Sequence, residues 1–322
     1  MPPATKADGA VQRVRLAIAA LPPGRYLLAV SGGRDSMLLL DAWSRWRLDG
    51  AVVATFDHGT SSASRRAAAF VQRAAERRGF SVVTGAARGL RGADEAAWRA
   101  ARHEFLSGWA RKLGARACTA HTRDDQAETV LMRVLRGAGA RGLAGMYAAS
   151  GIARPFLDVD RADVALAAAA LGLRFVDDPT NADRRHLRNR VRLDLLPALE
   201  GARPGFTNDL LALARRAATW RAGLDRVVDS LCATVLSDSG DASLVVPAAS
   251  LSGFPPTSLA VLWPALAERA GVTLDRRGLE RLCTFTVRSA APSRVPLSGG
   301  AEVRRTGSTF VVRNRGARSP LY

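Results

Sequence analysis

Between residues 26 and 135 the chain alternates short apolar runs with longer amphipathic stretches, a rhythm few folds can accommodate. Residues 26–31 (YLLAVS), 51–57 (AVVATFD), 81–84 (SVVT) and 116–120 (RACTA) are short, apolar and bounded by turn formers, so they read as buried strands. Residues 37–48, 64–78, 94–113 and 124–135 carry the helical period. Strands apolar on both faces and separated by helices imply a parallel sheet covered on both sides, an α/β Rossmann-like domain. Ligands in such sheets bind outside the carboxyl ends of the strands. That rule singles out residues 31–36, 57–59 and 121–128.

The remaining sequence is patterned differently. Residues 137–189 are rich in Gly, Pro and Arg and read as loosely structured; helix resumes from Leu193, and after Pro204 an apolar-periodic run covers 208–231. A boundary near residue 205 is expected, giving domains 1–205 and 206–322, as suits a chain of 322 residues. The second part carries two helical patterns, 257–270 and 275–285. It ends in alternating runs at 294–297, 301–305 and 310–313, with Gly299, Gly300 and Gly307 as turn signals. A smaller α+β domain is the expectation.

The net charge is +18, with 31 basic against 20 acidic residues up to residue 200 and 16 against 9 beyond it. An excess spread over both parts suits an acidic polymer, a nucleic acid above all. The alternative is an Arg-rich surface without a specific ligand. Cys118, Cys232 and Cys283 form no CxxC pair, which argues against zinc, iron–sulfur or disulfide frameworks. No apolar run approaches the ~20 residues that span a bilayer, and the first residues hold no apolar signal core. The protein is therefore expected to be soluble and cytoplasmic, without a membrane partner.

The strongest local signal is Ser31-Gly32-Gly33-Arg34-Asp35-Ser36, between a strand and a helix. Two glycines let the backbone approach a ligand, and N–H groups at a helix start suit phosphate oxygens, with the Ser31 and Ser36 hydroxyls as further donors. The spacing is not that of a Walker A loop. Asp35 would repel phosphate unless Mg²⁺ bridged the two; otherwise it is a helix-start residue. The second constellation is His121-Thr122-Arg123-Asp124-Asp125-Gln126-Ala127-Glu128-Thr129. Asp125 and Glu128 share a helical face and suit a metal or an ammonium group, or else merely favour a helix N-terminus.

SGGRDS resembles the SGGxDS signature of PP-loop ATP-pyrophosphatases, which cleave ATP between the α and β phosphates. HTRDDQAETVLMRVLRGAGARGLAGM is similar over its length to the HxxDDxxET block of the tRNA(Ile)-lysidine synthetase family. Residues 95–103 (EAAWRAARH) resemble that family's EAxARxxRY helix, with His103 in place of Tyr; RPFL at 154–157 resembles its RPLL element. DPTNAD at 178–183, continuing through Arg188-Asn189-Arg190-Val191-Arg192, resembles DPTNxD…RNxxR. After the second strand stands His58-Gly59-Thr60-Ser61, where the family often carries HGLR, so a Leu and an Arg are missing. The resemblance covers residues 25–200 and is weak beyond.

The resemblance implies ATP-dependent ligation of L-lysine to C2 of the wobble cytidine in the CAU anticodon of tRNA(Ile), through an adenylated intermediate. AMP and diphosphate are released, and codon reading changes from AUG to AUA. It assigns Ser31, Gly32, Gly33, Arg34, Asp35 and Ser36 to ATP, Asp35 and Asp125 to Mg²⁺, and Asp35, Asp125, Glu128 and Arg102 to catalysis. Arg99, Arg185, Arg188, Arg190 and Arg192 are the expected tRNA contacts. The oligomeric state stays open, a homodimer being one option. Two other readings compete. A tRNA-thiolating sibling would usually need CxxC pairs, which are absent; a non-enzymatic binding module would not need the intact Asp35, Asp125 and Glu128.

Overall fold

β1 (Tyr26–Ala29) is buried at all four positions and pairs in parallel with β2 (Ala51–Asp57) on one side and β4 (Arg116–Cys118) on the other. β3 (Ser81–Ala86) extends the sheet beyond β2, and β5 (Ile152–Ala153) extends it beyond β4. The order is β3-β2-β1-β4-β5, parallel throughout. The four expected strands form where the apolar runs place them; β5 lies inside the stretch read as loose. The chain leaves β1 toward β2 and later returns to β1's other side as β4. The carboxyl ends of β1 and β4 therefore flank the point where strand order reverses, the position at which open α/β sheets bind ligands.

This computed structural model describes residues 5–47, 50–57, 62–86, 95–177, 183–236, 242–288 and 290–314. Two units divide the chain, Met1–Ala217 and Ala218–Tyr322. In the first, α1 (Lys6–Ala19) starts at a reciprocal cap between Thr5 and Asp8 and buries Ala10, Val14 and Ile18, four residues apart on one face. α2 (Arg34–Trp46) follows β1 and buries Met37–Leu40, Ala42 and Trp43. α3 (Ser62–Glu76), α4 (Glu95–Lys112) and α5 (Arg123–Leu135) complete the alternation. The segment after α5 is more ordered than its Gly and Pro content suggests. It holds the short α6 (Ala140–Leu143), β5, and α7 (Arg161–Ala170), whose Val164 and Ala167 join the same core as α1.

α8 (Leu187–Arg190) runs into a π-helical turn, Val191–Leu195, and then α9 (Leu196–Ala202). Pro197, which lacks an N–H for the preceding turn, is the second residue after the widened turn. α10 (Phe206–Leu231) sends Leu210 and Ala214 into a cluster with Val130, Leu131 and Val191.

In the second unit, β6 (Ala233–Leu236) and β7 (Ala242–Pro247) precede α11 (Ala248–Leu251), α12 (Pro256–Arg269) and α13 (Arg276–Arg288). β8 (Ser293–Pro296), β9 (Ala301–Thr306) and β10 (Thr309–Asn314) then close an antiparallel sheet of order β6-β7-β10-β9-β8. The three tail strands were readable from their alternation; β6 and β7 were not anticipated. Trp263 of α12 meets Phe310 of β10 edge-on at 5.8 Å, at the centre of that unit's core. Among the described residues no helix is long and apolar enough to cross a membrane.

Candidate active site

The loop after β1 is shaped by its glycines and serines. Gly32 has φ +93°, a left-handed conformation that side chains rarely adopt, and a Cβ there would touch Val71 and Ala67 of α3 at 3.4–3.5 Å. Its carbonyl accepts the Val176 N–H at 2.9 Å. Gly33 is the N-cap of α2, so the first-turn amides of that helix open onto the loop. Ser36 Oγ donates to the Gly33 carbonyl at 2.9 Å, accepts the Ser31 N–H at 3.1 Å and lies 3.2 Å from Ser31 Oγ. These bonds hold the loop curved around two hydroxyls. Asp35 pairs with neighbouring Arg34 at 2.9 Å and stays partly exposed. Free amides, paired hydroxyls and no Cβ on either glycine fit a chain of phosphates.

On the other side of the switch point, Thr122 caps α5. Its hydroxyl accepts the Asp125 N–H, and Asp125 Oδ2 in return accepts the Thr122 N–H at 2.8 Å and hydroxyl at 2.9 Å. Glu128, one turn on, has a side chain only 2% exposed. Two arginines from distant segments converge on these acids. Arg161, the first residue of α7, donates to Asp125 Oδ1 at 3.0 Å and Glu128 Oε1 at 2.8 Å. Arg188 of α8 donates to the same Asp125 oxygen at 2.8 Å and to Glu128 Oε2 at 2.8 Å. Arg161 is also fixed through its backbone, whose N–H donates to Asp124 Oδ2 at 2.8 Å.

This geometry sets the electrostatics. Burial opposes ionisation of Asp125, but the Arg188 and Arg161 charges and the Thr122 N–H outweigh it and hold the carboxyl below its ordinary value. His121 Nδ1 lies 2.8 Å from Thr119 Oγ1. Burial, with the charges of Arg188, Arg154 and Arg102 against the opposing pull of Asp125, pushes His121 down to about 4, so the ring is neutral at physiological pH. Gln126 anchors the loop that follows α5: its Nε2 donates to the Ala144 carbonyl at 3.0 Å and its Oε1 accepts the Met146 N–H at 2.7 Å. Gly145, at φ +59°, is required there because a Cβ would lie 2.6 Å from that amide.

The structure brings most of the expected residues to the sheet's carboxyl edge, with changed neighbours. Arg188, read as an RNA contact, is bound to the two acids. Both Asp125 oxygens already carry two donors each, an arrangement that leaves no lone pair directed at a metal. Among the described residues no group of three or more His, Cys, Asp or Glu is placed to hold one. Asp35 retains the exposure that a cation beside phosphates requires. Arg102 acts electrostatically on His121. Arg185 is outward and bidentate to Asp183; Arg190 is exposed and Arg192 half-buried. The Arg99 side chain, His58–Ser61 and residues 178–182 lie outside the described residues. Arg161 was missed altogether. Its only signal was an Arg at a helix start following the RPFL segment.

The fold and the loop define a PP-loop nucleotide-binding domain, and the model of that family, described as "PP-loop domain", matches residues 8–199. Curated relatives narrow this further. The tRNA(Ile)-lysidine synthase of Thermobifida fusca is 37% identical over 312 residues, covering 93% of this chain and 95% of that protein. That of Salinispora arenicola is 38% identical over 320 residues, covering 93% and 94%. That of Salinispora tropica reaches 44% over 226 residues, covering 66% and 68%. The chain belongs to the tRNA(Ile)-lysidine synthase family. Among solved structures, the U34-tRNA thiolase NcsA of Methanococcus maripaludis, which carries a 4Fe–4S cluster, shares the fold: TM-score 0.57 and 16% identity, covering 66% of this chain and 80% of that one.

Proposed function

We propose that this protein joins L-lysine to C2 of the wobble cytidine of a CAU-anticodon tRNA(Ile), consuming ATP and releasing AMP and diphosphate. The observation that carries the reading is the meeting of two loops at one switch point, a phosphate cradle after β1 and a buried acid pair after β4. Family membership supports the same reaction. The C2 oxygen of cytidine is a poor leaving group. Its attack on the α-phosphorus of ATP forms a C2–O–P linkage and expels diphosphate, which Ser31, Gly32, Gly33, Arg34 and Ser36 are arranged to receive. The ε-amine of lysine then adds to C2, the C2–O bond breaks, and AMP leaves with that oxygen while the amine loses a proton.

Asp35 would hold Mg²⁺ against the phosphates; the ion supplies charge neutralisation there. Arg102 suits the α-phosphate. Asp125 and Glu128 suit the lysine ammonium better than a metal: the helix cap holds Asp125 Oδ2, and the positions on Asp125 Oδ1 and Glu128 are already filled by cationic N–H donors of the kind an ammonium can replace. The carboxylate that faces the bound amine is placed to take up the proton. Arg185, Arg190 and Arg192 present charge to the anticodon arm, and the arginines of residues 281–318 grip a more distant part of the tRNA. The protein works without a membrane, in the compartment that holds tRNA. The test is incubation with ATP, labelled L-lysine and a tRNA(Ile) transcript bearing CAU. Label should enter the RNA only when ATP is present; no label, with an active control enzyme, would overturn the reading.

A further inference from the structure

The acid pair is already neutralised, and one of its two arginines is far better anchored than the other. Arg161 begins the ten-residue α7, is tied to Asp124 by its backbone N–H, and has a side chain 15% exposed. Arg188 sits on the four-residue α8, is twice as exposed at 30%, and bonds through its guanidinium to Asp125 and Glu128. The two buried carboxylates balance the two guanidinium groups; Asp124, 3.9 Å from Arg161, is 42% exposed and screened by solvent, and His121 adds no charge while neutral. Bringing an alkylammonium onto Glu128 or Asp125 would put three cations around two buried anions. In a site of low dielectric that imbalance is costly, and expelling one cation removes it.

We propose that Arg188 is an exchangeable stand-in for the substrate's ammonium group. It occupies the Glu128 Oε2 and Asp125 Oδ1 positions in the free enzyme and is displaced when the amine binds, while Arg161 stays. The displaced guanidinium then faces the phosphate-binding side of the crevice as a donor to RNA or to the adenylate. Arg188 thus serves as a positioning residue that couples arrival of the cationic substrate to engagement of the anionic one. This rests on the proposed lysine-transfer reading and adds the order of events within it.

The experiment measures binding of L-lysine and of cadaverine, which has both ammonium groups and no carboxylate. The full-length protein is loaded with α,β-methylene ATP and Mg²⁺ and compared as wild type, Arg188→Ala and Arg188→Gln. Exchange predicts that both variants bind cadaverine and lysine more tightly than wild type, by about tenfold, as expected when a competing charged hydrogen-bond pair worth about 1.4 kcal/mol is removed. At the same time kcat for lysine transfer falls. It also predicts that added methylguanidinium weakens cadaverine binding to Arg188→Ala, by refilling the vacated position. Weaker lysine binding with unchanged cadaverine binding would show that Arg188 clamps the lysine carboxylate, and would overturn the proposal. Equal affinities in all three proteins would overturn it too, as would a loss of both ligands in variants whose thermal unfolding matches wild type. Wild-type lysine transfer to tRNA, measured alongside, separates these failures from failure of the functional reading.

Discussion

Arg161→Met tests whether the acid cluster is buried chemistry or a screened surface pair. The substitution keeps the unbranched stem of the side chain and removes the guanidinium and its charge. Glu128 Oε1 loses its guanidinium, Asp125 Oδ1 loses one of two donors, and Asp124 keeps only the backbone bond. Removing one partner of a buried pair typically costs about 3–5 kcal/mol. Arg188 still serves both acids, so a loss of about 2–3 kcal/mol is expected. In urea that is a midpoint shift of about 1 M at unchanged slope, followed by fluorescence of the buried Trp43. The pH dependence follows from Asp125, whose folded value lies below its ordinary one. Its pairing stabilises above the unfolded value of about 3.9 and is lost as pH falls past that value toward the folded one. The gap between wild type and variant should therefore narrow below about pH 4. A midpoint within about 0.2 M of wild type at neutral pH, under 0.5 kcal/mol, would refute the reasoning and return the cluster to the class of exposed ion pairs.

Asp35→Ala and Glu128→Ala should each abolish ATP- and tRNA-dependent AMP release while the protein stays folded; wild-type AMP release by either would sink its place in the site. Gly32→Ala should cost about 1–2 kcal/mol of stability and weaken ATP binding, because φ +93° is strained for alanine and its methyl meets α3; calorimetry with and without nucleotide measures both. tRNA affinity should fall steeply with salt, each phosphate contact adding roughly 0.7–0.9 to the log–log slope; a flat curve between low and physiological salt would remove the electrostatic docking surface. A fragment ending at Ala217, which keeps Leu210 and Ala214 in their cluster, should bind ATP yet lose most tRNA affinity; lysine transfer at the full-length rate would deny the second unit a substrate role.

What could be read from the sequence was what local rules decide. Buried parallel strands are apolar throughout, so β1 to β4 announced themselves, and the two glycines of SGGRDS marked a turn between a strand and a helix. β5 could not be read, since two residues carry no period. α1 was missed because Lys6, Arg13 and Arg15 mask the four-residue spacing of Ala10, Val14 and Ile18. Asp125 and Glu128 were legible as a pair on one face because that relation is helical. Their partners were not: Arg161 lies 36 and 33 residues away in sequence and Arg188 lies 63 and 60 away. Only the closure of α7 and α8 over the sheet edge brings them together. Arg188 was read as an RNA contact because a run of arginines looks alike from the sequence, whereas tertiary packing turns one of them inward.

That inward arginine answers a problem posed by the reaction itself. One crevice has to admit the phosphates of ATP and of tRNA and also hold two carboxylates for an amine. A carboxylate and a phosphate roughly 6 Å apart repel by about 3 kcal/mol at an effective dielectric of about 20. Bare acids would therefore oppose both polyanions before lysine arrived. Pairing them with Arg161 and Arg188 removes that repulsion in the free enzyme, and the lowered titration of Asp125 keeps that carboxylate ionised and ready for a cation. A permanent pair would then shut the amine out. An arginine whose backbone N–H is tied to Asp124, beside a more exposed one that meets the acids through its guanidinium, solves both demands, since the first preserves the site and the second can be given up. The asymmetry between Arg161 and Arg188 is for that reason the feature of the cluster most directly tied to a reaction that joins a cation to a polyanion.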